Sequence, residues 1–281
     1  MKTLCLHHND ADGRASGAIV RRALQPNLEL FEMDYGDPIP WEKIDTVEQV
    51  VVVDFSLASS DMLTVAEKCE LVWIDHHKSS IEEMEDIAVN WPGVRSLEEA
   101  ACVLTWQYYF PDVAVPKAVI LIGDRDIWRW AEEDTGAFCE GLFNQDSRVD
   151  NLALWKSLLD NDPSMLNQLI ESGSILRAAQ LTSIQRKVKA YGQEVEFEGH
   201  RTLMVNERGT GEMGEYIGKL GYEIGYCYID MPQEGKLMTK VTLYSKVVDV
   251  SVIASKFGGG GHAGAAGFTF ERDKLPLPVQ S

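Results

Sequence analysis

The sequence predicts an α/β protein: a mostly parallel sheet flanked by helices, followed by a second, smaller α+β domain. Three observations carry this reading. The runs VVVVDF at 50–55 and ELVWID at 70–75 are apolar without alternation, as strands buried on both faces are. Strand-like and helix-like segments alternate through the first half, the arrangement that builds a parallel sheet. From about residue 194 the texture changes to segments that alternate polar and apolar.

In chain order, residues 3–8 read as a short strand ending at His7 and His8, and the loop NDADG follows. Residues 15–24 have a helical pattern stopped near Pro26. LELFEM at 28–33 alternates like a strand. Ser96 and Glu99 have capping-box spacing, which predicts a helix from about Ser96 to Phe110. Residues 116–123 form the next helix or buried element. These segments make up a first domain, 1–149, and residues 150–193 read as a helical connection with a polar stretch near 160–164 and Gly173. In the second domain, 194–281, EVEFEG, RTLMVNE, YEIGYCYID and KLMTKVTLYS read as strands and VSVIASKF as a helix. A tail with Pro276 and Pro278 reads as loose.

Composition narrows the function classes. The 281 residues carry a formal charge of −18 and no long apolar run, so a membrane span is not expected and a cytoplasmic location is. So much negative charge disfavours wrapping a long nucleic acid, which is held through many Lys and Arg contacts. It leaves room for a small anion in a pocket, because bound cations reverse the local field. The five cysteines, an odd number without zinc-knuckle spacing, read as reduced structural thiols.

Four of the six histidines fall within polar clusters that follow apolar segments, and His262 follows a run of glycines. His7, His8, Asp10 and Asp12 form one, Asp54 stands at the end of VVVVD, Asp75, His76 and His77 form a third, and Asp124 and Asp126 in LIGDRDIW a fourth. In parallel sheets ligands bind beyond the carboxyl ends of the strands, so the first three clusters would meet at one rim. A lone Asp after a strand is ordinarily a cap or turn residue. The set is different, because several carboxylates in a partly desolvated cleft repel one another unless a divalent cation is bound. Oxygen ligands with a minority of imidazoles suit Mn²⁺ best, with Mg²⁺ and Fe²⁺ as alternatives. Two such ions about 3.5–4 Å apart suit phosphoryl chemistry.

These segments resemble the DHH phosphoesterase superfamily: HHNDADG its first motif, VVVDFS its second, WIDHHKS its third and LIGDRD its fourth. VDVSVIASKFGGGGHAGAAGF is similar to the glycine-rich motif of the DHH-associated C-terminal domain. The five motifs run in family order from residue 7 to 268. The resemblance implies two divalent metals held by His8, Asp10, Asp12, Asp54, His76 and Asp124, with Asp54 bridging. It implies that Asp75 orients its neighbour and that His77 faces the substrate phosphate. His7 competes with His8, which is preferred for its i, i+2, i+4 spacing with Asp10 and Asp12. Asp126 competes with Asp124, which is ranked first because it directly follows the apolar run.

Consecutive glycines let a backbone approach a phosphate closely. Gly259, Gly260, Gly261 and His262 are therefore expected to bind substrate, with Lys246 and Arg125 assisting. Where many relatives carry an Arg before this segment, Tyr244 stands here, and Tyr cannot replace its bidentate contact. Trp128 and Trp130 are candidates either for base stacking or for core packing. The implied activity is hydrolysis of short oligonucleotides to nucleoside monophosphates by in-line attack of metal-bound hydroxide, in a cleft between the domains. Alternatives are a small-nucleotide phosphatase, a cyclic dinucleotide phosphodiesterase, a RecJ-like single-strand exonuclease, and a catalytically silent nucleotide sensor. A homodimer is left open.

Overall fold

The structure, a computed structural model, describes residues 1–87, 91–233 and 235–272. The chain divides into two compact units, Met1–Ser174 and a second from Ile175 onward. The first unit contains β1 (Thr3–His8), α1 (Ala11–Leu24), β2 (Leu28–Met33), α2 (Trp41–Ile44), β3 (Gln49–Val53), α3 (Ser59–Lys68), β4 (Glu70–Ile74), α4 (Lys78–Met84), α5 (Ala101–Tyr109), α6 (Lys117–Asp126), α7 (Thr135–Phe143) and α8 (Leu152–Leu159). The boundary falls inside α9 (Pro163–Tyr191). The second unit continues with β5 (Gly192–Phe197), β6 (His200–Val205), α10 (Gly211–Lys219), β7 (Ile224–Gln233), β8 (Lys236–Tyr244), α11 (Val250–Lys256), β9 (Gly260–Gly261) and β10 (Ala265–Glu271).

The first sheet has the order β2-β1-β3-β4, and its pairings are all parallel. The continuous apolar runs are explained by burial on both faces. Leu4, Leu6, Val50, Val52 and Trp73 pack with Ile44, Met62 and Met84 on one side. Cys5, Val51, Val53, Val72 and Ile74 pack with Val20 and Leu104 on the other. A further core joins the helices through Ile19, Trp106, Val119, Phe138, Leu154 and Leu169. Gly173, noted within the expected helical connection, is a contact point of α9 with α7. A Cβ there would lie 1.7 Å from the Ala137 carbonyl oxygen, so only glycine fits.

One sequence expectation is corrected. The helix expected from Ser96 begins at Ala101, and Ser96 Oγ accepts instead from the Glu98 amide at 3.2 Å. The first turn of α5 is capped from a distance: the amides of Ala101 and Cys102 donate to the Asp12 carboxylate at 2.8 and 2.7 Å. Residues 116–123, expected as the next helix or a buried element, correspond to helix α6, and Asp124 and Asp126 lie in its last turn.

The second sheet has the order β5-β6-β7-β8-β10-β9, antiparallel except for β6–β7. One face packs on α11 through Tyr226, Val241, Leu243, Val250, Ile253 and Phe268. The other is partly covered by α10. Pro276 and Pro278 lie outside the described residues.

Candidate metal centre

Because β1 to β4 are parallel, their carboxyl ends share one edge of the sheet. Register places Met33 beside His8, His7 beside Val53, and Val53 beside Ile74. The residues immediately following therefore form a row: Asp34 after β2, Asn9 and Asp10 after β1, Asp54 after β3, and Asp75 to His77 after β4.

His8 and His7 separate cleanly. His7 is buried, its Nδ1 is 2.9 Å from the His8 carbonyl oxygen, and its ring abuts Gly17 of α1. Burial holds its pKa below the ordinary value. His8 Nδ1 lies 2.9 Å from Asp10 Oδ2 and 3.7 Å from Asp54 Oδ2, and its Nε2 is 3.4 Å from Asp34 Oδ1. Asp10 is also the N-cap of α1, accepting from the Gly13 amide at 2.9 Å.

Asp54 is the centre of the arrangement. It is 1% exposed and adopts φ 64°, a left-handed backbone uncommon outside glycine and tolerated mainly where surrounding structure imposes it. Three compact groups share it: His8, Asp10 and Asp54; Asp12, Asp54 and His76; and Asp54, Asp75 and His77. In each, one ligand atom per residue lies within 4.8 Å of the others. His76 Nε2 is 3.2 Å from Asp54 Oδ1, 3.5 Å from Asp12 Oδ2 and 3.3 Å from Asp126 Oδ2. Burial, then repulsion from Asp12 and Asp10, raises the pKa of both Asp54 and Asp126 well above the carboxylate range. Burial lowers that of His76.

Asp124 and Asp126, ranked in that order from the sequence, meet different partners. The Asp124 carboxylate accepts from the Ala131 amide at 2.8 Å, the Glu132 amide at 3.1 Å and the Thr135 hydroxyl. It pins the turn in which Trp128 and Trp130 have positive φ. Asp126, two positions along α6, faces His76 instead. Trp128 is buried, with its ring 5.1 Å from that of Trp130, which favours the packing reading.

Asp75 Oδ1 accepts from the amides of His76 and His77 at 2.7 and 3.2 Å and lies 2.8 Å from His77 Nδ1. Burial pulls the His77 pKa down, but Asp75 and the other carboxylates outweigh it and the net shift is upward. A cavity of about 240 Å³ opens beside Asp10, Asp12 and Asp126, with Arg14, Arg125 and Phe143 among its lining. The Arg125 guanidinium lies over the Phe143 ring at 4.5 Å.

Two neighbours escaped the sequence reading. Asp34 accepts from Asn9 Nδ2 at 3.1 Å and approaches His8, and the Tyr35 ring lies 5.6 Å from His8 and 6.4 Å from His77. The available signal was DYGDP, an acid and turn residues directly after a strand, as at the other strand ends.

The set fits divalent metal ions. Asp54 Oδ2 and Asp126 Oδ2 are buried oxygens without a hydrogen-bond partner in a site crowded with carboxylates. Such atoms are costly unless a cation or proton satisfies them.

The remaining expected residues lie in the second unit. Gly261 has φ 138°, and a Cβ on Gly259 would lie 2.0 Å from the Gly267 carbonyl oxygen, whereas Gly260 is open. His262 closes the turn, its amide donating to the Ala265 carbonyl at 2.8 Å. Lys246 is exposed. Tyr244 is buried, packed against Gly209 and Gly214.

No family model matches the chain. An uncharacterised protein of Acanthamoeba polyphaga mimivirus is 26% identical over 263 residues, covering 91% of this chain, which spans about 60% of that relative's length. Among solved structures, the DHH domain of a protein described as a member of an S1p family of ribosomal proteins superposes with a TM-score of 0.65. It covers 97% of this chain and 83% of its own at 14% identity. A pGpG-specific phosphodiesterase from Vibrio cholerae superposes with a TM-score of 0.51, covering 98% and 95% at 12% identity. The fold is that of the DHH-domain proteins.

Proposed function

We propose that this chain, built on the DHH fold, is a metal-dependent phosphodiesterase that hydrolyses short oligonucleotides to nucleoside monophosphates. The observation that carries the reading is that Asp54 is shared by several acid and imidazole groups, among them His8 with Asp10 and Asp12 with His76, while buried carboxylate oxygens of Asp54 and Asp126 lack a hydrogen-bond partner. A binding protein has no need for two adjoining cation sites.

In this reading His8, Asp10 and Asp54 hold one divalent ion and Asp12, Asp54, His76 and Asp126 the other, Mn²⁺ being the best match to the ligand types. The ions supply a water acidic enough to attack at neutral pH and positive charge for the phosphate oxygens. The protein does the rest. Asp12 fixes the position of α5 while presenting an oxygen to His76. Asp75 holds the two following residues, so that His77 would donate through Nε2 to a nonbridging phosphate oxygen. Arg125 and Arg14 line the adjoining cavity, where they would meet the flanking part of the substrate. In the second unit the GGGGH segment offers backbone amides to a terminal phosphate.

Two observations support short substrates. The net charge is −18, and most described Lys and Arg side chains are already paired with acids, which leaves no basic track. The overlap with a pGpG-specific phosphodiesterase is compatible with this, as a likeness of fold.

The test is a hydrolysis screen with Mn²⁺ over dinucleotides, five- to ten-mers, long single strands, cyclic dinucleotides and 3′,5′-bisphosphorylated adenosine. Turnover is expected to be greatest with the shortest linear substrates. A preference for the bisphosphate or the cyclic compounds would move the assignment to those classes, and binding without turnover would identify a sensor.

A further inference from the structure

We propose that the second unit carries a separate pocket for a nucleoside monophosphate, on the open part of its sheet between β7, β8 and the loop before α10. The helix covers only one end of that face. Ile217 packs on Gly225, Met213 Sδ lies 3.5 Å from Cys227 Sγ, and Gly214 rests on the Tyr244 ring. Ile229 pairs with Lys240 and Cys227 with Thr242, so two-residue alternation puts Ile229, Met231, Lys240 and Thr242 on the same face farther along. With Glu207, Arg208 and Gly209 they line a cavity of about 300 Å³.

Its charge sets it apart in so acidic a chain. Neither the Arg208 nor the Lys240 side chain forms an ion pair or hydrogen bond among the described residues, and both are exposed. The acid at the rim, Glu207, is paired with Lys187 at 2.9 Å. Two uncommitted cations and the Thr242 hydroxyl therefore converge on one concavity, which is the donor set a phosphate takes. Ile229 and Met231 supply the apolar wall against which a flat base can lie, and Met adapts its shape to such a face. The volume lies at the low end for small-molecule sites, enough for one mononucleotide and too small for a strand.

The loop is held in place before any ligand arrives. A Cβ on Gly209 would lie 2.8 Å from the Tyr244 ring, 3.0 Å from Cys227 Cβ and 3.1 Å from Thr242 Cβ, so its backbone is seated on the sheet. No lining residue belongs to the carboxylate cluster or to the GGGGH segment, and the pocket does not depend on the hydrolytic assignment.

Calorimetric titration of the full chain in excess chelator tests this with AMP and UMP, and with adenosine and inorganic phosphate as separate arms. Both monophosphates should bind, and each fragment should bind at least about tenfold more weakly. Lys240→Glu and Arg208→Glu should each weaken AMP at least about tenfold, while Lys240→Arg stays within about threefold. Asp54→Asn should bind AMP like the native chain, which separates this pocket from the metal cluster. The proposal is overturned if no monophosphate binds at millimolar concentration, if both charge reversals leave affinity unchanged, or if Asp54→Asn abolishes it. Inorganic phosphate binding as tightly as AMP would reduce the pocket to a simple anion site and overturn the nucleotide assignment.

Discussion

Asp124 and Asp126 are two residues apart, chemically identical, and face different partners. One turn of helix explains it: positions i and i+2 on a helix point roughly 200° apart, so they cannot share a partner. Asp124 turns toward the 131–135 segment and Asp126 toward His76. Sequence adjacency to an apolar run could not distinguish them, because the run is helical and the side facing the sheet rim is set by packing. Asp126→Ala should therefore cost metal affinity and at least about tenfold in kcat, roughly 1.4 kcal/mol of barrier, with little change in Tm. Asp124→Ala should instead lower stability by about 1–3 kcal/mol, the penalty for leaving its buried donors unpaired. Metal titration and thermal unfolding of the two variants distinguish the roles. A stable Asp124→Ala that has lost metal would reverse them.

At the scale of elements, the strands were the most legible feature. VVVVD and ELVWID admit few alternatives, since a run that short and that apolar has to be buried on both faces. The start of α5 was not legible, because its capping carboxylate, Asp12, is 89 positions from Ala101 in sequence and a nearby Ser96–Glu99 pair mimicked a local cap. Asp34 and Tyr35 were missed for a related reason: β2 reads as an ordinary alternating strand, and only its parallel pairing with β1 brings its end to the rim. Packing four strand ends together has an energetic consequence. The folded-state pKa values of Asp54 and Asp126 are raised above their ordinary value of 3.8. A carboxylate raised on folding adds nothing to instability below its unfolded pKa and destabilises progressively as pH climbs toward the folded value. The metal-free protein should thus lose stability as pH rises above about 4. Added Mn²⁺ should reverse the loss, because ligation replaces the protons. Unfolding scans across pH with and without metal would show this, and a metal-free stability that increased through the same interval would contradict it.

For the whole molecule, the balance of charge governs what the site can reach. Each nucleotide added beyond the few that fit the phosphate-binding elements would run over acidic surface. We expect kcat/KM to fall as single-stranded RNA or DNA lengthens from two to about twenty nucleotides, and to fall faster at low salt, where screening is weaker. Steady-state kinetics on a length series at two ionic strengths measures it; efficiency that climbs with length would mark a processive nuclease. All of this depends on Asp54 being shared by two cation sites, and that claim is open to a direct count. Equilibrium dialysis of the full chain with Mn²⁺ at neutral pH should find two ions per chain in the native protein. In Asp54→Asn, correctly folded by circular dichroism, it should find the occupancy of both sites sharply reduced, because the lost carboxylate belongs to each. Two ions bound with undiminished affinity by Asp54→Asn would contradict the account.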